Sequence, residues 1–78
     1  MRPREGSGVD ALEAFAANLR RARETAGLTQ ERLAELADLH MTDVGRIERG
    51  ERDPSVKTVA RLARGLGVSP GELFEGVE

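Results

Sequence analysis

The chain is 78 residues long, with twelve Lys or Arg against fourteen Asp or Glu (net charge −2), one histidine and no cysteine. A single domain of this size buries only about 60% of the surface its unfolded chain exposes, and without thiols or a partner for the lone histidine it has no disulfide or structural metal to reinforce that core. No apolar run approaches the roughly 20 residues that cross a bilayer, and the opening MRPREGSG lacks the apolar centre of a signal peptide, so the expected setting is cytoplasmic, with no membrane partner.

Arg2 to Gly8 contains Pro3, Gly6 and Gly8 and nothing that builds a core, so residues 1–8 read as a disordered arm and residues 9–78 as the domain. From Val9 onward Leu12, Phe15, Ala16, Leu19, Ala22 and Ala26 recur at spacings of three and four, which predicts a first helix with Asp10 as its N-cap and Gly27 as its stop. Thr29 then caps a second run in which Gln30 and Glu31 lead into Leu33, Ala34, Leu36 and Ala37. Asp38 and Leu39 form a turn, and a third helix runs from about Met41 to Arg49 with Val44 and Ile47 facing inward and Gly50 ending it. Beyond the loop from Glu51 to Pro54, Ser55 caps a fourth helix whose apolar positions Val56, Val59, Leu62, Ala63 and Leu66 share one stripe, closed by Gly67. Ser69, Pro70 and Glu72 supply an N-cap, a proline at the first helical position and the acidic half of a capping box, so a fifth short helix carries Leu73 and Phe74. No segment alternates with period two, and the fold class is all-α with five helices.

Residues 29–50, TQERLAELADLHMTDVGRIERG, hold two helices too short to stand alone. They make sense together as a helix-turn-helix, the first helix buttressing a second that is free to enter the major groove of DNA. Ala34 is the small residue at which the two cross closely, while Leu33, Ala37, Leu39, Val44 and Ile47 bury the remainder. A net charge of −2 is not the basic balance of most nucleic-acid binders, but a duplex meets the local field of one face rather than the chain average. From His40 through Arg61 there are five basic residues (Arg46, Arg49, Arg52, Lys57, Arg61) against four acidic ones (Asp43, Glu48, Glu51, Asp53). Chemistry is not indicated: there is no cysteine, no second histidine and no phosphate-cradling glycine loop, and no cofactor, metal or small-molecule ligand is expected. The alternative is an antitoxin-like or anti-repressor module that keeps the fold and offers its acidic positions to a protein partner.

The segments LTQERLAELADLH, RIERGERDPS and LARGLGVSPGELF resemble the Cro/CI-type (Xre-like) helix-turn-helix regulators over roughly Phe15 to Phe74. Leu39 and His40, with IERGERDPS at 47 to 55, also resemble the controller proteins of restriction-modification systems. The resemblance implies a five-helix, lambda-repressor-like domain that binds a palindromic operator in double-stranded DNA as a homodimer and regulates transcription. It implies that Gln30 contacts a DNA phosphate, aided by the positive end of its helix, that His40 caps the third helix and reaches phosphate, and that Glu48 pairs with Arg23 of the first helix.

On the third helix, Met41, Thr42, Gly45 and Arg46 remain for base contacts once Val44 and Ile47 are committed to the core. The Arg46 guanidinium fork matches guanine O6 and N7, a pairing that discriminates by about 1–3 kcal/mol; its alternative is a surface ion pair with Asp43 one turn back. Thr42 either donates to a base or phosphate or is merely exposed, and Met41 either packs on a thymine methyl or covers its neighbours. Gly45, which costs a helix about 1 kcal/mol against alanine, is explained if the backbone approaches the groove edge. Arg49, Arg52 and Lys57, with the helix N-terminus at Ser55, form a phosphate clamp. Two acids depart from the family pattern, Asp38 in the turn where glycine is usual and Asp43 on the recognition helix. Val68, Leu73, Phe74 and Val77 are more apolar surface than a one-turn helix can bury internally, and are assigned to the dimer interface, which would set two recognition helices about 34 Å apart.

Overall fold

The computed structural model of the chain describes residues 7–78, with side chains from residue 11, and these form α1 (Ser7–Thr25), α2 (Gln30–Ala37), α3 (Met41–Glu48), α4 (Val56–Leu66) and α5 (Pro70–Leu73). Residues 1–6 of the expected arm lie outside the described residues. Its last two, Ser7 and Gly8, belong to α1, so Asp10 is inside the helix rather than at its cap. A cap needs an extended backbone of its own, and nothing between Ser7 and Asp10 interrupts the helical one.

The other helix starts follow from their caps. Thr29 is extended (φ −79°, ψ 165°) and its Oγ1 accepts the Arg32 amide at 3.0 Å; Ser55 does the same for the Thr58 amide at 3.1 Å. At α5 the Ser69 amide donates to the Glu72 carboxylate at 3.3 Å, closing the capping box expected from Ser69 and Glu72. The turn between α2 and α3 depends on Asp38, which sits in the left-handed region (φ 59°, ψ 49°). Only there does the Leu39 amide reach back to the Ala34 carbonyl, at 2.8 Å. Aspartate is among the few L-residues that tolerate this conformation, which is how the chain manages without the usual glycine. The third helix ends one residue earlier than expected, at Glu48, because Arg49 (φ −90°, ψ 2°) has already left helical dihedrals ahead of the left-handed Gly50.

Packing centres on α2, which lies against both α3 and α4, while α1 crosses α3 and α5 from the other side. Leu19, Leu33, Val44, Ile47, Leu62 and Leu73 are the largest fully buried side chains, one or more from each helix. Ala34 is buried as expected, and α2 also approaches α4 closely: a Cβ on Gly65 would lie 3.2 Å from the Leu36 Cβ and 3.3 Å from a Leu33 methyl. Val56 does not belong to the inward stripe of α4, for 88% of it is exposed. It is the first residue of the helix, and the buried positions begin one turn later at Val59. Leu36 is likewise half-exposed, and Ala26, beyond the end of α1, is exposed.

Asn18 was not singled out by its sequence, although it falls on the apolar stripe of α1 between Phe15 and Leu19. It is buried, and its amide donates to the carbonyls of Leu73 at 2.9 Å and Glu75 at 2.8 Å. One polar side chain thereby fastens the C-terminal turn to α1. Substitution Asn18→Ala leaves buried carbonyls unmatched and is expected to cost about 1–3 kcal/mol, read as a lower urea midpoint at unchanged slope. An unaltered midpoint would show that the C-terminal turn is held by apolar packing alone.

Candidate nucleic-acid interface

Recognition by a helix this short requires that its inner side be fixed. On α3 that side carries Val44, Ile47 and the carboxylate of Glu48, whose side chain is only 2% exposed. Arg23 meets it with two parallel bonds, Nε to Oε2 at 2.6 Å and Nη2 to Oε1 at 3.1 Å. The remaining edge of the guanidinium donates to the Leu28 carbonyl at 2.9 Å, and the Gln30 amide donates to Glu48 Oε1 at 3.0 Å. Hydrogen bonding to Glu48, ahead of the opposing effect of burial, raises the Arg23 pKa above its ordinary value. A single buried carboxylate thus joins the end of α1, the loop after it, the first residue of α2 and the last residue of α3. The pairing of Arg23 with Glu48 agrees with the sequence reading; the part taken by Gln30 was not foreseen, because the same residue was assigned wholly to phosphate.

The outer side of α3 presents Thr42, Arg46 and Arg49 one turn apart, with Met41, 51% exposed, at its start. Among the described residues Arg46 makes no ion pair: Asp43, its expected alternative partner, is bonded instead to Arg52, Nη1 to Oδ1 at 2.7 Å. Gly45 requires a correction. It is buried rather than open to a groove, and a Cβ there would lie 3.1 Å from Arg49 Nη1 and 3.4 Å from Gln30 Oε1. A side chain there would press first on the end of Arg49 and would meet the Gln30 amide only at ordinary contact distance, so the position faces protein side chains rather than an open groove edge.

The surrounding basic groups are partly self-satisfied. Arg49 chelates the Glu51 carboxylate at 3.0 and 3.2 Å, and this hydrogen bonding holds the Glu51 pKa below the usual carboxylate range while raising that of Arg49. Because the Glu51 pKa is depressed, the pair is intact at neutral pH and is lost only as pH falls through that lowered value. His40 occupies the N-cap position of α3 but makes no side-chain bond to the helix, so its capping is by backbone only. The Ser55 hydroxyl is engaged with Thr58. Among the described residues the first-turn amides of Gln30 and Glu31 on α2 and of Val56 and Lys57 on α4 have no protein acceptor. No group of three or more His, Cys, Asp or Glu suited to a metal exists among the described residues, and none of their helices is long and apolar enough to cross a membrane.

A family model described as a helix-turn-helix domain matches residues 14–75. The chain belongs to the helix-turn-helix domain family. As a member it is a sequence-specific DNA-binding transcriptional regulator and not an enzyme. It is 40% identical over 66 residues to the control protein C.SmaI of Serratia marcescens, covering 85% of this chain and 79% of that one. It is 37% identical over 65 residues to the uncharacterized HTH-type transcriptional regulator y4dJ of Sinorhizobium fredii, covering 83% and 84%. Among solved structures it is similar to the restriction-modification controller protein C.AhdI from Aeromonas hydrophila, at 43% identity and a TM-score of 0.79 over 81% of this chain and 96% of that one. The family context agrees with the resemblance drawn from the three sequence segments.

In this regulator the C-terminal apolar residues do not all remain at the surface. Leu73 is 1% exposed and belongs to the core, a correction to its assignment to an interface. The one-turn α5 buries Leu73 because Asn18 draws its carbonyl onto α1. Val68 and Val77 are partly buried against the same core. Phe74 is 46% exposed, with its ring 5.2 Å from that of Phe15. Beside it lie Pro54, Val56, Ala60 and Pro70, which with Phe74 line one shallow apolar groove.

Removing the central carboxylate by Glu48→Ala would strand the Arg23 guanidinium and the Gln30 amide. The expected cost is about 2–4 kcal/mol, somewhat below that of a fully enclosed pair because the Arg23 side chain is 13% exposed and keeps its bond to the Leu28 carbonyl. A thermal melt of Glu48→Ala within a degree of the parent would contradict this.

Proposed function

We propose that this regulator binds a palindromic operator as a homodimer, with the outer stripe of α3 in the major groove. The observation that carries the reading is the contrast across α3: one side is locked by Glu48, while Arg46 on the other has no intramolecular partner among the described residues. Arg46 reads guanine through its two-pronged fork; Thr42, one turn earlier, meets the neighbouring base or its phosphate, and Met41 packs on a thymine methyl at the edge of the site. The open amides at the starts of α2 and α4 receive phosphates on either flank, joined by Gln30, His40, Arg49, Arg52 and Lys57, and these contacts fix register without reading sequence.

The dimer face in this reading is the groove beside Phe74, with Val56 in place of the buried Leu73. A valine left 88% exposed next to a half-exposed phenylalanine is surface that a second copy would cover, and a domain this small gains stability from such coverage. The similarity to controller proteins supports regulation of transcription; the direction of control follows from where the operator lies, not from the fold.

Selection of bound sites from random duplex DNA is the direct test, and a two-fold symmetric preference is expected. Arg46→Ala should lose about 1–3 kcal/mol of preference at one base pair per half-site, whereas Lys57→Ala should weaken all duplexes alike. Unchanged base preferences in Arg46→Ala would remove the base-reading role. Sedimentation of Phe74→Glu is expected to give a monomer that retains the parent helicity; a dimer that survives this substitution would place the two-fold contact elsewhere.

A further inference from the structure

The face offered to a duplex carries carboxylates as well as arginines, and two of the carboxylates, Asp43 and Glu51, are already paired with arginines. The pair formed by Arg49 and Glu51 is local, two residues apart and exposed on both sides. The pair formed by Asp43 and Arg52 is different in kind. It spans nine residues, at 2.7 Å, from the first turn of α3 to the loop before α4, and its side chains are 27% and 45% exposed. Asp43 stands directly beside Thr42 and one turn from Arg46. An aspartate at that place would repel phosphates if open, and Arg52 would attract any phosphate within reach if open. Bonded to each other, neither does.

We propose that Asp43 sets the discrimination between operator and random DNA by acting through Arg52. The carboxylate stands in for a phosphate, keeps Arg52 neutralised while the protein samples non-specific sequence, and releases it when α3 is seated in a groove that suits Arg46 and Thr42. This rests on the DNA-binding reading above. Binding without sequence preference comes almost entirely from counterion release, with a salt slope of about 0.9 per phosphate neutralised. An arginine whose charge is matched inside the protein contributes nothing to that slope until its pair opens. Opening gives up a short charge-assisted bond, stronger than a neutral one, and a loosely held duplex that shifts from register to register offers no fixed phosphate in exchange. The seated complex does. Asp43 is therefore a positioning residue that suppresses one non-specific contact for each chain bound.

The test is a double-mutant cycle on the parent, Asp43→Asn, Arg52→Ala and the combined variant. Each is titrated with the best duplex from selection and with a scrambled duplex of the same length, between about 50 and 200 mM salt. Asparagine keeps the shape of the aspartate on a partly exposed position, so the fold is retained. On scrambled DNA, Asp43→Asn is expected to steepen the slope by about 0.9 per bound chain, which over that range is an additional loss of affinity of roughly threefold, and to narrow the preference for the selected duplex at low salt. In the Arg52→Ala background the same substitution should move the slope by less than half as much. An equal change in both backgrounds would mean that Asp43 acts only by its own charge, and no change in either would mean that the pair does not restrain Arg52; each result overturns the proposal while leaving selective DNA binding by the parent intact. Failure of the parent itself to bind any duplex would instead overturn the DNA-binding reading, and this inference with it.

Discussion

The buried carboxylate of Glu48 is the constraint on which the rest of the molecule depends. A helix of eight residues has too few hydrogen bonds to hold its own shape or direction in water, and α3 is that short. Apolar contacts through Val44 and Ile47 keep it attached to the core, but such contacts are not directional. Bonds from Arg23 and Gln30 to one carboxylate are. They fix α3 to α1 and α2 at once, and the Leu28 carbonyl on the far edge of Arg23 brings the intervening loop under the same control. An ion pair in this position gives little net stability compared with an apolar replacement; what it supplies is a defined direction for the residues on the opposite side of the helix.

That arrangement also accounts for how an acidic chain meets a polyanion. Charge is not spread as a basic surface but allotted in pairs, Arg49 with Glu51 and Arg52 with Asp43, leaving Arg46 in the middle of the presented stripe. A protein built in this way has a weak general attraction for DNA and, in the proposed reading, takes its affinity from fitted contacts and a second subunit. Low non-specific attraction is useful to a regulator, because the genome offers a vast excess of competing sites.

Much of this was legible in the sequence, for physical reasons that differ by element. Helix starts were read correctly where a side chain does the capping, as at Thr29, Ser55 and Ser69, because cap chemistry is local. The start of α1 was misplaced at Asp10 because a good capping residue can equally well sit inside a longer helix. The apolar spacing identified Leu33, Val44, Ile47 and Leu62 as core, since periodicity reports directly on which side faces inward. Val56 and Leu73 were both assigned to the wrong environment, and for the same reason: at the end of a short helix the turn-by-turn pattern has no second member to fix its phase. Tertiary polar contacts were the least visible. Asn18 shows itself only as a polar interruption on an apolar stripe, the bond between Asp43 and Arg52 spans a loop whose path the sequence does not specify, and the crowding at Gly45 comes from the ends of the Arg49 and Gln30 side chains, the second of them fifteen residues away.

The account predicts a rigid inner side and a responsive outer side of α3, and a single NMR titration of the isotopically labelled chain with operator duplex reports on both. The Arg23 Nε proton should be protected from exchange with water and keep its shift throughout, while the resonances of Thr42 and Arg46 and the amides at the start of α2 move with added DNA. An Arg23 Nε proton that exchanges freely in the unbound chain, or shift changes gathered on α1 and the groove beside Phe74 instead of on α3, would contradict the central claim.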